Sequence, residues 1–188
     1  MKVFDFDNTI YRGESPVHFA FYMIKHNKKI KRYIPTILLN LVGYKLCLLK
    51  KEKLEATINN MCADVLDGTT SLLDYVKPFW ELHVQNLNQE MLALVEPDDV
   101  ILTASPVFLI NGLRGKLNTE HIVGTEVDFE QKKIVRFNFG DNKVERYKEL
   151  YSDREIDAFY TDSYNDKYMM EISNEVFIVK KGIPVKKT

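Results

Sequence analysis

"VFDFDNTIY", Val3 to Tyr11, sets two carboxylates, Asp5 and Asp7, in a run that otherwise reads as a buried strand. In an extended backbone, residues two apart point the same way. Burying one unpaired carboxylate is costly. Two side by side cost more, unless something positive lies between them. The stretch therefore predicts a short strand over 1–7 that stops at a site holding positive charge.

Working outward, "RGES" turns the chain. Ser15 before Pro16 predicts a helix start, with serine as N-cap and proline in the first helical position. Val17, Ala20, Phe21 and Ile24 then mark one helical face. Helical patterning continues to about Lys77. It includes a basic stretch over 25–32, an apolar run over 33–44, the basic "KKEK" at 50–53 and a helix over 52–64. "SLLDYVKPFWELHV" reads as helix again, disturbed at Pro78. Beyond Pro97 the character changes. "DDVILTASP" predicts a buried strand ending near Thr103, with a helix following through Leu113. "HIVGTEV" and "KIVRFNF" predict a hairpin around 130–132. "NKVERYKELY" predicts a helix, with Val144, Tyr147 and Tyr151 on one stripe. "IDAFYTDS" and "EVFIVKKG" predict two more buried strands. Strands alternating with helices imply an α/β fold with a parallel sheet. The expected core is 1–13 plus 79–188, with 14–78 inserted as a small helical cap.

Bulk composition narrows the classes. The chain has 188 residues, 45% of them apolar, so a substantial core is available. Its 26 basic and 27 acidic residues leave a net charge of −1, which argues against a nucleic-acid partner. Cys47 and Cys62 form no CxxC pair, so a reducing cytoplasm is expected and a disulfide framework is not. No signal peptide is read at the start. The uncharged run over 33–44 is shorter than the roughly 20 residues that span a bilayer. Contact with an anionic membrane surface is the alternative role for this run and its flanking lysines. A cap helix with a solvated basic face is the preferred reading.

In open α/β sheets, ligands bind beyond the carboxyl ends of the strands. Asp5, Asp7, Thr103 and Asp162 all fall there, and Asp166 follows Asp162 by one helical turn. Carboxylates converging on one point repel one another, and a hard divalent cation reverses that cost. Mg²⁺ takes oxygen ligands and commonly binds through a few carboxylates plus a substrate phosphate. A calcium loop is excluded, because the positions requiring glycine and glutamate hold Ile10 and Pro16.

"DFDNTI", "ILTASP", the lysine of "GDNKVERYKEL" and "YTDSYNDKYMM" resemble the four ordered motifs of the haloacid dehalogenase (HAD) superfamily. A long helical insertion after the first motif resembles its phosphoserine-phosphatase-like branch. The resemblance implies a Rossmann-like core with a helical cap, and a Mg²⁺-dependent hydrolase acting on a small or lipid-linked phosphomonoester. It makes Asp5 the nucleophile that becomes an aspartyl-phosphate and Asp7 the general acid and base. Thr103 would contact a phosphoryl oxygen, with Ser105 as the alternative hydroxyl. Lys143, chosen over Arg146 and Lys148, would neutralise developing charge. Asp5, Asp7, Asp162 and Asp166 would form the metal set, with Asp166 either a ligand or a support for Lys143.

Substrate contacts are expected from Glu14, Thr103, Ala104 and Lys143. Glu14 reads equally well as a turn residue. The phosphoserine enzymes have a serine and glycines where this chain has "TASP", and they carry a cap arginine. Here only Arg32 lies between Glu14 and Leu94, which weakens phosphoserine as the substrate. The "TASP" form and the segment over 33–49 resemble the bacterial branch that includes phosphatidylglycerophosphate phosphatases. Two other functions share these residues. One is a phosphotransferase using the same intermediate, the other a non-catalytic protein binding a phosphoryl ligand or a membrane surface.

Overall fold

The structure is a computed structural model that describes residues 1–26, 72–152 and 154–187, together with Pro35. The basic stretch beyond His26, the apolar run over 33–44, the helix expected over 52–64 and both cysteines lie outside the described residues. No helix of the described residues is long and apolar enough to cross a membrane.

Strands β1 (Lys2–Phe4), β2 (Val100–Pro106), β3 (His121–Asp128), β4 (Lys133–Arg136), β5 (Ile156–Thr161), β6 (Ser173–Lys180) and β7 (Ile183–Lys186) form one sheet. Its order is β4-β3-β2-β1-β5-β6-β7. β1 lies parallel to β2 and β5, β2 to β3, and β5 to β6. Two antiparallel strands close the edges, β4 against β3 and β7 against β6. The chain leaves β1 towards β2 on one side and returns to β5 on the other, so the topological switch lies at the end of β1.

The sheet is buried on both faces, which explains its near-continuous apolar strands. Val3, Val100, Leu102 and Phe159 pack on one face with Tyr147 and Met169. Phe4, Ile101 and Tyr160 pack on the other with Phe6, Phe79, Trp80 and Leu109. Helix α1 (Ser15–His26) and helix α2 (Val76–His83) cover that second face, with the Phe19 and Phe79 rings 5.2 Å apart. Pro78 sits in the first turn of α2, where its missing N–H costs nothing.

Three details depart from the sequence reading. β1 ends at Phe4, so Asp5 and Asp7 lie in the turn beyond it rather than in the strand. The amides of residues 9, 10 and 11 fold back onto the Phe6 carbonyl, and this turn replaces the expected extension. The buried stripe of α1 is Phe19, Met23 and Ile24, while Phe21 faces solvent. β2 continues past Thr103 to Pro106, because Thr125 Oγ1 donates to the Ala104 carbonyl at 2.7 Å and prolongs the pairing with β3. Helices α4 (Val107–Ile110) and α5 (Asp141–Tyr151) and the hairpin of β3 and β4 follow the reading, whereas α3 (Gln89–Leu92), α6 (Lys167–Glu171) and β7 were not read from the sequence.

Candidate active site

The turn after β1 delivers both aspartates to the switch point. The Asp5 amide donates to the Tyr160 carbonyl at 2.8 Å, which anchors it against β5. Lys143 reaches it from the first turn of α5. Helical side chains tilt towards the N-terminus, so a lysine at this position points out of the helix start and into the site. Its Nζ lies 3.0 Å from Asp5 Oδ1 and 2.8 Å from Asp166 Oδ1. Lys143 is 2% exposed, so one ammonium is buried between two carboxylates. Of the three cations weighed, it is the one the fold brings to the aspartates. Arg146 pairs with Glu126 and Glu149 instead.

Asp166 arrives through a tight turn. Ser163 Oγ accepts from the Asn165 amide at 3.1 Å and starts a 3-10 helix over Tyr164–Asp166. Thr161 Oγ1 then donates to Asp166 Oδ2 at 2.8 Å. Thr161 is wholly buried at the end of β5, and sequence reasoning missed it. A β-branched residue ending an apolar strand looks like core. Its distance of five residues from Asp166 was the available signal.

Asp7 faces a different set of partners. The Ser15 amide donates to its Oδ1 at 2.5 Å, and the Ser105 hydroxyl donates to its Oδ2. The first turn of α1 thus starts on the Asp7 carboxylate, an acceptor for an orphan helix N–H and a charge matched to the helix dipole. The Glu14 carbonyl takes the next amides of that turn, so Ser15 lies inside the helix rather than capping it. The two hydroxyls at the start of α1 and the end of β2 come within 3.3 Å of each other.

Thr103 is fully buried, and its Oγ1 accepts from the Ser105 amide at 3.0 Å. Asn138, also buried, donates to the Thr103 carbonyl at 2.7 Å. Gly124 permits this close layering: a Cβ there would lie 2.5 Å from the Ser105 carbonyl and 3.1 Å from Thr103 Cγ2. Asp162 is half-buried directly after β5. It shares a cleft of about 670 Å³ with Asn8 and Glu14. Asn8 donates to Glu14 Oε1 at 2.7 Å.

The electrostatics reflect an excess of negative charge. Burial pushes the Asp5 carboxyl well above its ordinary range. Lys143 opposes the shift, and Asp166, Asp162 and Asp7 reinforce it. Burial also raises Asp7, against the hydrogen bonds from Ser105 and Ser15. Asp162 is pushed up to about 6, by burial first and then by Asp166. Burial alone would lower the Lys143 pKa, but Asp166 and Asp5 more than reverse this and hold it protonated. Burial thus favours neutral Asp5 while the 3.0 Å contact favours the ion pair. Protonated Lys143 is the firm conclusion, since two carboxylates grip it. Among the described residues, no three acid or imidazole groups stand close enough to chelate an ion unaided.

The profile of the haloacid dehalogenase-like hydrolases matches residues 3–171, nearly the whole chain and all four motifs. The chain belongs to this family. No match was found among curated protein sequences. Solved structures sharing the HAD fold include a protein of unknown function from Bordetella pertussis Tohama I, with a TM-score of 0.75 at 16% identity over 94% of this chain and 87% of that one. A phosphoserine phosphohydrolase-like protein from Francisella tularensis subsp. tularensis SCHU S4 has a TM-score of 0.58 at 17% identity, over 94% and 86%. A HAD family hydrolase from Salmonella enterica subsp. enterica serovar Typhi has a TM-score of 0.56 at 14% identity, over 91% and 58%. At these identities the likeness is one of fold.

Proposed function

We propose that this HAD hydrolase cleaves phosphomonoesters through an aspartyl-phosphate on Asp5. One observation carries the reading: a buried lysine grips Asp5 and Asp166 at the switch point, with a second, separately held aspartate beside it. In the first step an Asp5 oxygen attacks phosphorus as the bond from phosphorus to the leaving oxygen breaks. The departing oxygen takes the proton from Asp7, whose raised pKa suits an acid. In the second step Asp7 takes a proton from water as the water oxygen attacks the same phosphorus. Asp5 departs as a carboxylate, phosphate is released, and Asp7 is protonated again. Lys143 stabilises the charge on Asp5 and on the phosphoryl group. Thr103 and the Ala104 backbone would hold phosphoryl oxygens, and Glu14 would face the leaving group.

The donor set fits Mg²⁺. It is all oxygen, and its carboxyl groups are held above their ordinary pKa values by burial and mutual repulsion. Such an ion keeps waters and takes a substrate phosphate, so a complete protein cage is not required. Asp5, Asp162 and the Asp7 carbonyl would hold it. Asp166, occupied by Lys143 and Thr161, would act by fixing the lysine. When bound, the ion would supply positive charge against the phosphoryl oxygens. Residues 14–78 would serve as the cap.

The test is Mg²⁺-dependent phosphate release from an aryl phosphate. Asp5→Asn should abolish it while leaving the circular dichroism spectrum unchanged. Retained turnover in that variant would sink the mechanism.

A further inference from the structure

We propose that the cleft beside Asp162 receives a second anionic group of the substrate, selected by Arg12 and Lys181. This rests on the phosphomonoesterase reading and names a substrate class within it: phosphomonoesters whose leaving group carries its own carboxylate or phosphate.

The cleft lies between the loop after β1 and the β6–β7 turn, and both walls are fixed. The Arg12 amide donates to the Asn86 carbonyl at 2.9 Å. On the other wall, Asn88 Nδ2 donates to the Gly182 carbonyl at 2.7 Å. Gly182 has a φ of 83°, and a Cβ there would lie 2.9 Å from Asn88 Nδ2 and 4.0 Å from Arg12 Nε. Arg12 Nε therefore lies near Gly182, the residue that follows Lys181, and both cations line the cleft. One backbone clamp brings two cations to one mouth.

Among the described residues, neither Arg12 nor Lys181 forms an ion pair, and both are exposed. Two adjacent like charges repel, and an anion between them relieves the repulsion. A third cation lies close by: Lys187 Nζ is 5.8 Å from the ring of Tyr164, which lines the same cleft.

Charge is also sorted by depth. Asp162 and Glu14 are half-buried, and Arg12 and Lys181 are exposed. The acid end adjoins the proposed phosphoryl site, and the basic end opens to solvent. At about 670 Å³ the cleft has room for more than a phosphate. A molecule with phosphate at one end and a further anion at the other matches this gradient. Arginine supplies planar paired donors for carboxylate or phosphate, and lysine supplies a point charge.

The test compares two kinds of non-hydrolysable probe by titration calorimetry on the full chain with Mg²⁺. Methylphosphonate carries one anionic group. A short series of ω-carboxyalkylphosphonates carries two, at graded separations. The best of the series should bind about tenfold more tightly than methylphosphonate, as expected for a hydrogen-bonded charged group. In the double variant Arg12→Gln with Lys181→Gln this gain should vanish, with methylphosphonate affinity unchanged. Equal binding of the two kinds of probe would overturn the proposal. So would a gain that survives in the double variant, or an equal loss for both kinds, which would mean general steering only. Aryl phosphate turnover is scored separately. Its absence would count against the hydrolase, while the binding comparison would still decide the subsite.

Discussion

Replacing Lys143 with methionine removes the sole ammonium in contact with Asp5 and Asp166 among the described residues. The new side chain fills much the same volume, so the loss is one of charge. Stranding a buried partner typically costs about 3–5 kcal/mol. For a chain of this size that corresponds to a fall of roughly 10 °C in Tm. The penalty should depend on pH in a defined direction. Burial has already raised the Asp5 carboxyl, so without the lysine it protonates more readily. The loss relative to wild type should be greatest where Asp5 is ionised and should shrink on acidification, as the stranded Asp5 carboxylate neutralises. Urea denaturation with a chelator present measures this directly. Adding Asp166→Asn to the Lys143→Met variant should recover part of the loss, because one stranded charge goes with it. A loss below about 1 kcal/mol, typical of an exposed pair, would refute the reasoning. So would a loss that does not shrink on acidification.

Three further outcomes are expected. Ser105→Ala removes a hydrogen bond that lowers the Asp7 pKa, so the alkaline limb of the kcat profile should move to higher pH while kcat falls about tenfold. Gly124→Ala forces a methyl group to within 2.5 Å of the Ser105 carbonyl, and should lower stability by about 1–3 kcal/mol in urea melts together with turnover. His18 donates to or accepts from Tyr11 at 2.6 Å, and burial lowers its pKa. Its neutral form therefore contributes stability that is full above about pH 6.5, the unfolded value, and is lost as pH falls through the lowered folded value. The stability difference between wild type and His18→Gln should be flat above that pH and change below it.

The parts of the site that the sequence made legible obey short-range rules. Asp5, Asp7 and Asp162 follow the ends of strands and Thr103 lies in β2, each where an apolar run meets a polar residue. Lys143 lies in the first turn of α5, just after Gly140. What stayed hidden depends on contacts between distant elements. Nothing in "RGES" announces that Ser15 will offer its amide to Asp7, or that Ser105 will meet the same carboxylate. Thr161 and Asn138 read only as parts of the strands "IDAFYTDS" and "KIVRFNF", because their partners are a turn and a carbonyl set by the sheet. β7 escaped notice because it is an exposed edge whose Ile183 and Val185 both face solvent. The α1 stripe was displaced because helix phase alone cannot say which face the sheet will cover.

The position of β1 has a kinetic consequence. It is the central strand, yet Val3 pairs with Val100 on one side and with Phe159 on the other. A growing chain makes this strand first and cannot seat it until both distant neighbours exist. Closing such long loops is slow, and unpaired strands are exposed in the meantime. Asp5 acquires its lysine only after α5 emerges, and Asp166 later still. Catalytic competence should therefore appear late and abruptly during synthesis. The aspartates that come first in the chain would be the last to find their place.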